Sequence, residues 1–162
     1  MKIRSAVAGD RPRIHAILVA TARFTPEEVG WAMDLVDQAS AGGSEYSVHV
    51  LEEPDSVPGR TVQGYVCYAP TPMTDGVYDL YWIAVDPLQQ GLGLGQLLLR
   101  FVENEVQRRA GRMLLIETSS KRSYAPTIRF YQQAGYREIS RIKDFYRIED
   151  DKVVFCKQLV PS

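Results

Sequence analysis

The sequence predicts an α/β protein of the α+β kind, with one mixed, mostly antiparallel central sheet of about six to seven strands and about four flanking helices. Apolar residues change repeatedly between the helical and the extended period, in the order β-α-α-β-β-β-α-β-α-β-β. A strand-helix-strand crossover spans Val77 to Thr118. The 162 residues contain no linker, so we expect a single domain over residues 1–162.

The first part of the chain predicts a strand and two helices. A short strand near Ile3 to Ala6 leads to a helix for which Asp10 is the expected N-cap. The second helix begins at Thr25-Pro26-Glu27-Glu28, because a capping threonine and a glutamate three residues later satisfy free amides. Gly42-Gly43 ends this helix. The apolar stripes are Ile14, Ile17 and Leu18 in the first helix and Val29, Met33 and Val36 in the second.

Three strands are predicted next. Apolar and polar residues alternate from Tyr46 to Val50, which indicates a half-buried strand. Pro54 to Gly59 is typical of a turn, and Thr61 to Tyr68 forms the following strand. Val77 to Val85 is rich in aromatic and β-branched residues, so we expect a central strand there.

The last part of the chain alternates again between helix and strand. A helix is predicted over Gly95 to Ala110, stopped at Gly111, and another over Ala125 to Ala134, with Gly135 at its C′ position. Met113 to Thr118 is nearly all apolar, which predicts a strand covered on both faces. The two final strands are expected at Arg137 to Tyr146 and Lys152 to Leu159.

Composition argues against several classes of partner. The chain has 19 basic and 20 acidic residues, so neither nucleic acid nor a membrane surface is an expected partner. No stretch reaches the roughly 18 apolar residues of a membrane span. Cys67 and Cys156 stand far apart in apolar runs, which predicts buried reduced thiols, no metal site and a cytoplasmic location. His15 and His49 are expected to be structural or exposed.

Residues 85–97 read VDPLQQGLGLGQL, a glycine-rich turn between a strand and a helix. Such a turn binds anions, because free backbone amides converge at a helix N-terminus that carries partial positive charge. The spacing does not fit a P-loop, which needs a lysine after its last glycine. It does not fit a dinucleotide fingerprint either, whose third glycine would fall on Gln96. What remains is Q-x-x-G-x-G, made by Gln90, Gly93 and Gly95.

With the later segment Phe130-Tyr131-Gln132-Gln133-Ala134-Gly135-Tyr136, this loop resembles the acetyl-CoA motif of the GNAT N-acetyltransferase superfamily. The resemblance covers residues 77–146 and is nearest to the branch that acetylates peptide and ribosomal-protein N-termini. It implies direct transfer of an acetyl group from acetyl-CoA to a primary amine in a ternary complex. The amine would be a peptide N-terminus, a lysine or a small molecule, and the enzyme a monomer or homodimer without a metal.

The resemblance also implies catalytic residues. Tyr131 matches the tyrosine that often protonates the leaving thiolate. Two carboxylates are candidates for the base. Glu117 resembles the base of the N-terminal acetyltransferase branch and is favoured, whereas Asp79 matches the carboxylate position of the histone-acetylating branch.

The implied cofactor contacts lie on the strand before the loop and on the loop itself. Leu92 and Leu94 stand where the family often has a basic residue, so amides and the helix dipole would carry phosphate binding. Tyr124 stands where the family commonly has an asparagine that contacts the cofactor. The implied cofactor-binding residues are Ile83, Ala84, Val85, Gln90, Gly91, Leu92, Gly93, Leu94, Gly95, Gln96 and Tyr124.

In this superfamily the first two helices and the loop between the last two strands usually form the acceptor groove. Aromatic residues beside carboxylates in those segments would suit a cationic amine. An alternative is a non-catalytic acyl-CoA-binding sensor or interaction module that retains the loop, and a further one is a nucleotide-binding module. The candidate groove residues are Phe24, Trp31, Met33, Phe145, Tyr146 and Glu149-Asp150-Asp151.

Overall fold

The computed structural model describes residues 1–54 and 61–160. The order of strands and helices along the chain is the predicted one. Of the predicted turn Pro54 to Gly59, all but Pro54 lies outside the described residues. The elements are β1 (Lys2–Ser5), α1 (Arg11–Ala20), α2 (Pro26–Ala41), β2 (Ser47–Glu52), β3 (Val62–Pro70), β4 (Val77–Val85), α3 (Leu94–Arg108), β5 (Met113–Ser119), α4 (Ala125–Gln133), β6 (Arg137–Arg147) and β7 (Asp150–Gln158).

The strands form one seven-stranded sheet in the order β1-β2-β3-β4-β5-β7-β6. β1 pairs antiparallel with β2, β2 with β3, β5 with β7 and β6 with β7, whereas β4 pairs parallel with β5. The predicted mixed, mostly antiparallel sheet is confirmed. The parallel register runs from Val77 opposite Met113 to Leu80 opposite Ile116, whereas β4 continues through Val85.

The chain divides into two compact units. The first unit comprises Met1–Ala69 and Tyr81–Val102, and the second comprises Pro70–Leu80 and Glu103–Ser162. The expectation of a single domain stays a prediction. In the first unit, α1 and α2 bury their apolar stripes together with residues of β2 and β3. This core includes Ile14, Ile17, Leu18, Ala32, Met33, Leu35, Val48, Val50, Tyr65 and Cys67.

The two helix starts in the first unit differ in how their amides are satisfied. Thr25 Oγ1 accepts a hydrogen bond from the Glu28 amide at 3.2 Å, and Glu28 Oε2 accepts one from the Thr25 amide at 2.7 Å. This confirms the capping box that the sequence predicts. Asp10 precedes α1 but makes no capping bond to it, because its carboxylate accepts from the Val7 amide at 2.8 Å and from Arg4 at 2.7 Å.

The second unit is built around one buried face of β5. Leu114, Ile116 and Thr118 are buried, whereas on the other face Glu117 is exposed and Met113, Leu115 and Ser119 are half-buried. The expectation that both faces of β5 are covered is therefore wrong. Although residues 113–118 are nearly all apolar, burial along this strand alternates with a period of two residues, as the pleat of a β-strand requires.

Candidate active site

The predicted glycine loop lies between β4 and α3 in the first unit. A 3₁₀ turn over Pro87–Gln89 follows β4, and Asp86 caps it by accepting from the Leu88 amide at 3.0 Å. Gly91 and Gly93 then have φ values of +81° and +77°. Only glycine adopts this left-handed backbone without strain, so these two glycines serve the turn.

The loop presents unsatisfied backbone donors. In the part of the chain that the structure describes, the amides of residues 91–96 have no backbone acceptor, because α3 begins at Leu94 and its first amides precede the helical ladder. The first bond of the new helix runs from the Leu97 amide to the Gly93 carbonyl at 3.0 Å. α3 is 15 residues long, so its dipole adds partial positive charge at the loop. These features fit the diphosphate of a coenzyme A carrier.

Backbone packing is tight where β4 approaches the loop. Ala84 is buried, and Ile83 and Val85 are half-buried. A Cβ placed on Gly64 of β3 would lie 2.9 Å from the Ala84 carbonyl oxygen, which no ordinary side chain tolerates. This close approach of two backbones holds the end of β4 in place within the first unit.

Tyr131 lies in the second unit near the end of α4 and is buried. Its ring packs against Tyr136 and Phe155, with centroid distances of 5.9 and 6.4 Å. Gly135 has a φ of +90° at the C′ position, as predicted, and the Tyr136 amide donates to the Tyr131 carbonyl at 3.0 Å. The helix end and the ring contacts together fix this phenol.

Glu117 and Asp79 lie on one face of the sheet within the second unit. Asp79 is opposite Leu115 in the parallel register, two residues before Glu117 along β5. Burial raises the pKa of Asp79, the hydrogen bond from Thr71 lowers it, and the nearby negative charge of Glu117 raises it further. The Thr71 hydroxyl donates to Asp79 Oδ2 at 2.7 Å. The structure thus brings the two candidate bases close enough to influence each other.

The sequence analysis missed a lysine at these carboxylates. Lys152 Nζ of β7 lies 3.1 Å from Glu117 Oε1 and 4.9 Å from the centroid of the Phe145 ring. Nothing in the local sequence around Lys152 could indicate this pair, because it depends on the register between β5 and β7. Thr71 was not predicted either, because its bond to Asp79 depends on how the chain turns back between β3 and β4.

The fold and these groups can be compared with known proteins. Residues 44–138, more than half of the chain, match the model of the acetyltransferase (GNAT) domain. The chain belongs to the GNAT acetyltransferase family. No curated protein matches the sequence. Acetyl transfer from acetyl-CoA to an amine is the activity of the family, so the enzyme class and the acetyl donor expected from the sequence are confirmed.

Solved structures resemble this GNAT acetyltransferase over nearly its whole length. A GNAT-family protein from Desulfovibrio desulfuricans is 41% identical, with 98% of this chain and 99% of that chain covered and a TM-score of 0.91. The ribosomal-protein-S18-alanine N-acetyltransferase of Escherichia coli is 21% identical, covering 99% and 95%, with a TM-score of 0.73. An aminoglycoside 6′-N-acetyltransferase complexed with coenzyme A is 13% identical, covering 100% and 99%, with a TM-score of 0.75. The last two likenesses show the fold alone.

The expected acceptor residues of this GNAT acetyltransferase fall into two groups. In the first unit, Phe24 and Trp31 pack against Trp82, with centroid distances of 4.9 and 6.4 Å. Trp31 remains exposed, whereas Met33 is buried in the core of the first unit. Trp82 of β4 was not predicted from the sequence, because its contacts with Phe24 and Trp31 join residues more than 50 positions apart.

The acidic residues expected to attract a cationic acceptor are engaged within the second unit. Asp150 is buried, accepts a hydrogen bond from the Ser119 hydroxyl and lies 3.5 Å from Lys121 Nζ. Asp151 pairs with Arg141 at 3.0 Å. Both carboxylates therefore have partners within the second unit, and their part in an acceptor groove stays a prediction.

Tyr124, the two cysteines and the two histidines were also considered from the sequence, and the structure gives the surroundings of each. Tyr124 is half-buried at the start of α4, where its amide donates to the Lys121 carbonyl at 2.9 Å. Burial raises the pKa of Cys67 to about 12, and Cys156 is also buried. His15 is exposed, and His49 stacks on Tyr68 at 5.8 Å.

Residues 1–54 and 61–160 hold no group of three or more His, Cys, Asp or Glu side chains placed to bind a metal ion. None of the helices in the same ranges combines the length and the apolar character that crossing a membrane requires.

The loop of this GNAT acetyltransferase leads to a prediction about salt. Residues 86–99 contain no lysine or arginine, so amides and the helix dipole would hold the diphosphate. We expect the affinity for coenzyme A to fall only a few-fold between about 0.1 and 1 M salt, over which the Debye length shrinks from about 10 to about 3 Å. Titration calorimetry across this range measures it. A steep fall would show that basic side chains outside the loop dominate.

Proposed function

We propose that this enzyme acetylates a primary amine by direct transfer in a ternary complex, without an acetylated enzyme. The observation that carries the proposal is the loop, in which the amides of residues 91–96 have no backbone acceptor among the described residues. Such amides are suited to bind the diphosphate of a carrier. The buried thiols support direct transfer. Cys67 has a raised pKa and would not form a thiolate readily near neutral pH.

The chain's own residues divide the work between binding and proton transfer. The loop amides would hold the diphosphate, and the backbone of Ile83 to Val85 would hold the carrier arm. Acetyl-CoA supplies the activated acetyl group when bound. The Tyr131 hydroxyl would donate a proton to the departing sulfur, because a positioned phenol O–H can act as a general acid.

We propose Glu117 as the group that accepts the proton of the acceptor amine. Its side chain is exposed on the sheet face that it shares with Asp79, so an incoming ammonium can reach it. The Lys152 ammonium lies 3.1 Å from this carboxylate, which supports a position able to accommodate a cationic amine. Asp79 is the alternative base, because burial raises its pKa towards neutrality.

Paired variants decide between the two carboxylates. We expect Glu117→Gln to lower kcat/KM for the amine by about 100-fold, the usual contribution of a positioned base, and Asp79→Asn to lower it by less than about tenfold. Initial rates of thiol release across the pH range measure both. If Asp79 is the base, its variant carries the larger loss, and wild-type activity falls as the pH drops through the raised pKa of Asp79.

A carboxylate of similar chemistry serves as the control. Glu138 is exposed on β6 and pairs with Arg141 at 2.9 Å. Glu138→Gln removes a comparable charge from the same unit, so it reports any general electrostatic effect on the rate. The Glu117 assignment would fail if Glu138→Gln lowered kcat/KM as much as Glu117→Gln does.

The acceptor itself can be found with an amine panel. Thiol release from acetyl-CoA is followed with peptide N-termini, lysine side chains and small primary amines. Turnover with one class identifies the acceptor, whereas tight coenzyme A binding without turnover would favour the sensor. The exposed Trp31, packed on Trp82, supports an acceptor with a cationic amine next to apolar groups. The cytoplasmic location and the monomeric or homodimeric state stay predictions.

A further inference from the structure

We propose that Arg13 and Asp86 form a partly buried ion pair that holds the cofactor loop in its binding conformation. Both are positioning residues for acetyl-CoA, and neither is assigned a contact with it. Arg13 lies on α1, and Asp86 is the residue that joins β4 to the loop. The inference rests on the proposed cofactor site at residues 91–96, and all the groups involved belong to the first unit.

The two oxygens of the Asp86 carboxylate bind different partners, a side chain of α1 and a backbone amide of the loop. Oδ2 pairs with Arg13 Nη2, and Oδ1 accepts from the Leu88 amide at 3.0 Å, which closes the 3₁₀ turn that begins the loop. The Asp86 amide donates to the Gln63 carbonyl at 2.8 Å. Arg13 Nε donates to the neighbouring Val62 carbonyl at 2.9 Å. The pair thus ties α1 and the start of β3 to the first residue of the loop.

The two ends of the loop are held by different forces. At its far end, Leu94 is buried as α3 begins and Leu98 is fully buried one turn later. Between the ends, Leu88, Gly91, Leu92 and Gly93 are exposed, so apolar packing restrains this stretch little. The Asp86 anchor therefore fixes where the loop begins, and with it the direction of the amides that follow.

A preorganised loop improves affinity because the cost of ordering it falls on folding and not on binding. Loss of the ion pair removes one restraint on the Asp86 side chain, loosens the 3₁₀ turn and spreads the loop amides over several orientations. The expected effect is on coenzyme A affinity. Once the cofactor is bound and the loop is ordered, proton transfer by groups of the second unit proceeds as before.

A second ion network of the first unit provides a matched control. Arg4 lies 2.7 Å from Asp10, with side-chain exposures of 24% and 9% that resemble the 17% and 9% of Arg13 and Asp86. Arg4 is on β1, and its other carboxylate partner is Glu52. Arg4→Ala therefore breaks an equally buried pair that has no bond to the loop.

Calorimetry with coenzyme A and hydrogen-deuterium exchange of the free protein test the proposal. We expect Arg13→Ala to raise the Kd about tenfold and to speed exchange at residues 87–96, with kcat at saturating acetyl-CoA changed less than about twofold. Asp86→Asn, which keeps an acceptor for the Leu88 amide, should have a smaller effect, and Arg13→Lys should restore part of the affinity. Arg4→Ala should leave the Kd and the loop exchange unchanged.

Two results would overturn the inference. One is an unchanged Kd and loop exchange in Arg13→Ala, and the other is an equal rise of Kd in Arg4→Ala. If Arg13→Ala does not fold, Arg13→Lys and Asp86→Asn decide by the same readouts. Failure of the wild-type protein to bind coenzyme A would refute the cofactor site itself, which is a different outcome from binding that ignores Arg13.

Discussion

Tyr131→Phe is expected to lower kcat by about 10²- to 10³-fold while the Kd for coenzyme A stays within a few-fold of the wild-type value. The substitution removes one hydroxyl from a buried ring whose packing on Tyr136 and Phe155 a phenylalanine preserves. The fold and the loop amides should therefore be unaffected. Loss of the proton donor leaves the departing thiolate to take its proton from water, which slows the chemical step.

The neighbouring phenol is the matched control for this experiment. Tyr136 is also buried in the second unit, and its hydroxyl donates to Glu103 Oε1 at 2.9 Å. Tyr136→Phe should reduce stability and leave kcat nearly unchanged. Steady-state kinetics and calorimetry on both variants separate the two roles. If Tyr131→Phe retains kcat to within a few-fold, Tyr131 does not act as the acid.

Local signals explain which parts of the fold the sequence could predict. The capping box joins Thr25 and Glu28, which are three residues apart, and Gly135 comes directly after the end of α4. Short stretches of sequence therefore identify both features. The order of elements follows from changes in apolar period. The burial of β5 was predicted wrongly, because Met113 and Leu115 are apolar yet only half-buried, and composition does not report which face a neighbouring element covers.

In the candidate site too, local features could be predicted from the sequence and contacts between distant residues could not. The glycine loop could be predicted because the glycines that its backbone conformation requires lie close together in the sequence. Gly91 and Gly93 have the positive φ that such a loop needs. The pair of Arg13 and Asp86 could not be predicted, since 73 residues separate its members. Lys152 lies next to Glu117 because of the register between β5 and β7, which the local sequence does not indicate. Ionic partners across a sheet have no periodic signature, so sequence reasoning cannot select them among the chain's other charges.

The two units hold groups with separable effects on kinetics. The first unit carries the loop and the Arg13–Asp86 pair, for which we propose changes in cofactor affinity. The second unit carries Tyr131 and Glu117, for which we propose changes in the chemical step. Variants in the first unit should therefore move the Kd and the KM for acetyl-CoA, whereas variants in the second unit should move kcat.

Glu103→Ala is expected to be the most destabilising of the substitutions considered, at about 2–4 kcal/mol of unfolding free energy. Glu103 of α3 accepts the Tyr136 hydroxyl at 2.9 Å and two bonds from Lys157 Nζ at 3.0 Å. Its removal leaves a buried hydroxyl without its acceptor and a half-buried ammonium without its counter-charge. Urea unfolding at neutral pH measures the loss.

The neighbouring Glu105 is the control, because it lies on the same helix and pairs at 2.7 Å with Arg108, whose side chain is exposed. Glu105→Ala should cost less than about 1 kcal/mol, because an ion pair with a solvent-exposed partner contributes little. The pH dependence gives a second readout. Burial, the charge of Glu103 and their hydrogen bond raise the pKa of Tyr136 in the folded state. The unfolded chain therefore loses this proton first, and stability should fall as the pH rises above about 10. Tyr136→Phe should remove that part of the alkaline loss, and an unchanged alkaline slope in this variant would contradict the role given to the Tyr136–Glu103 bond.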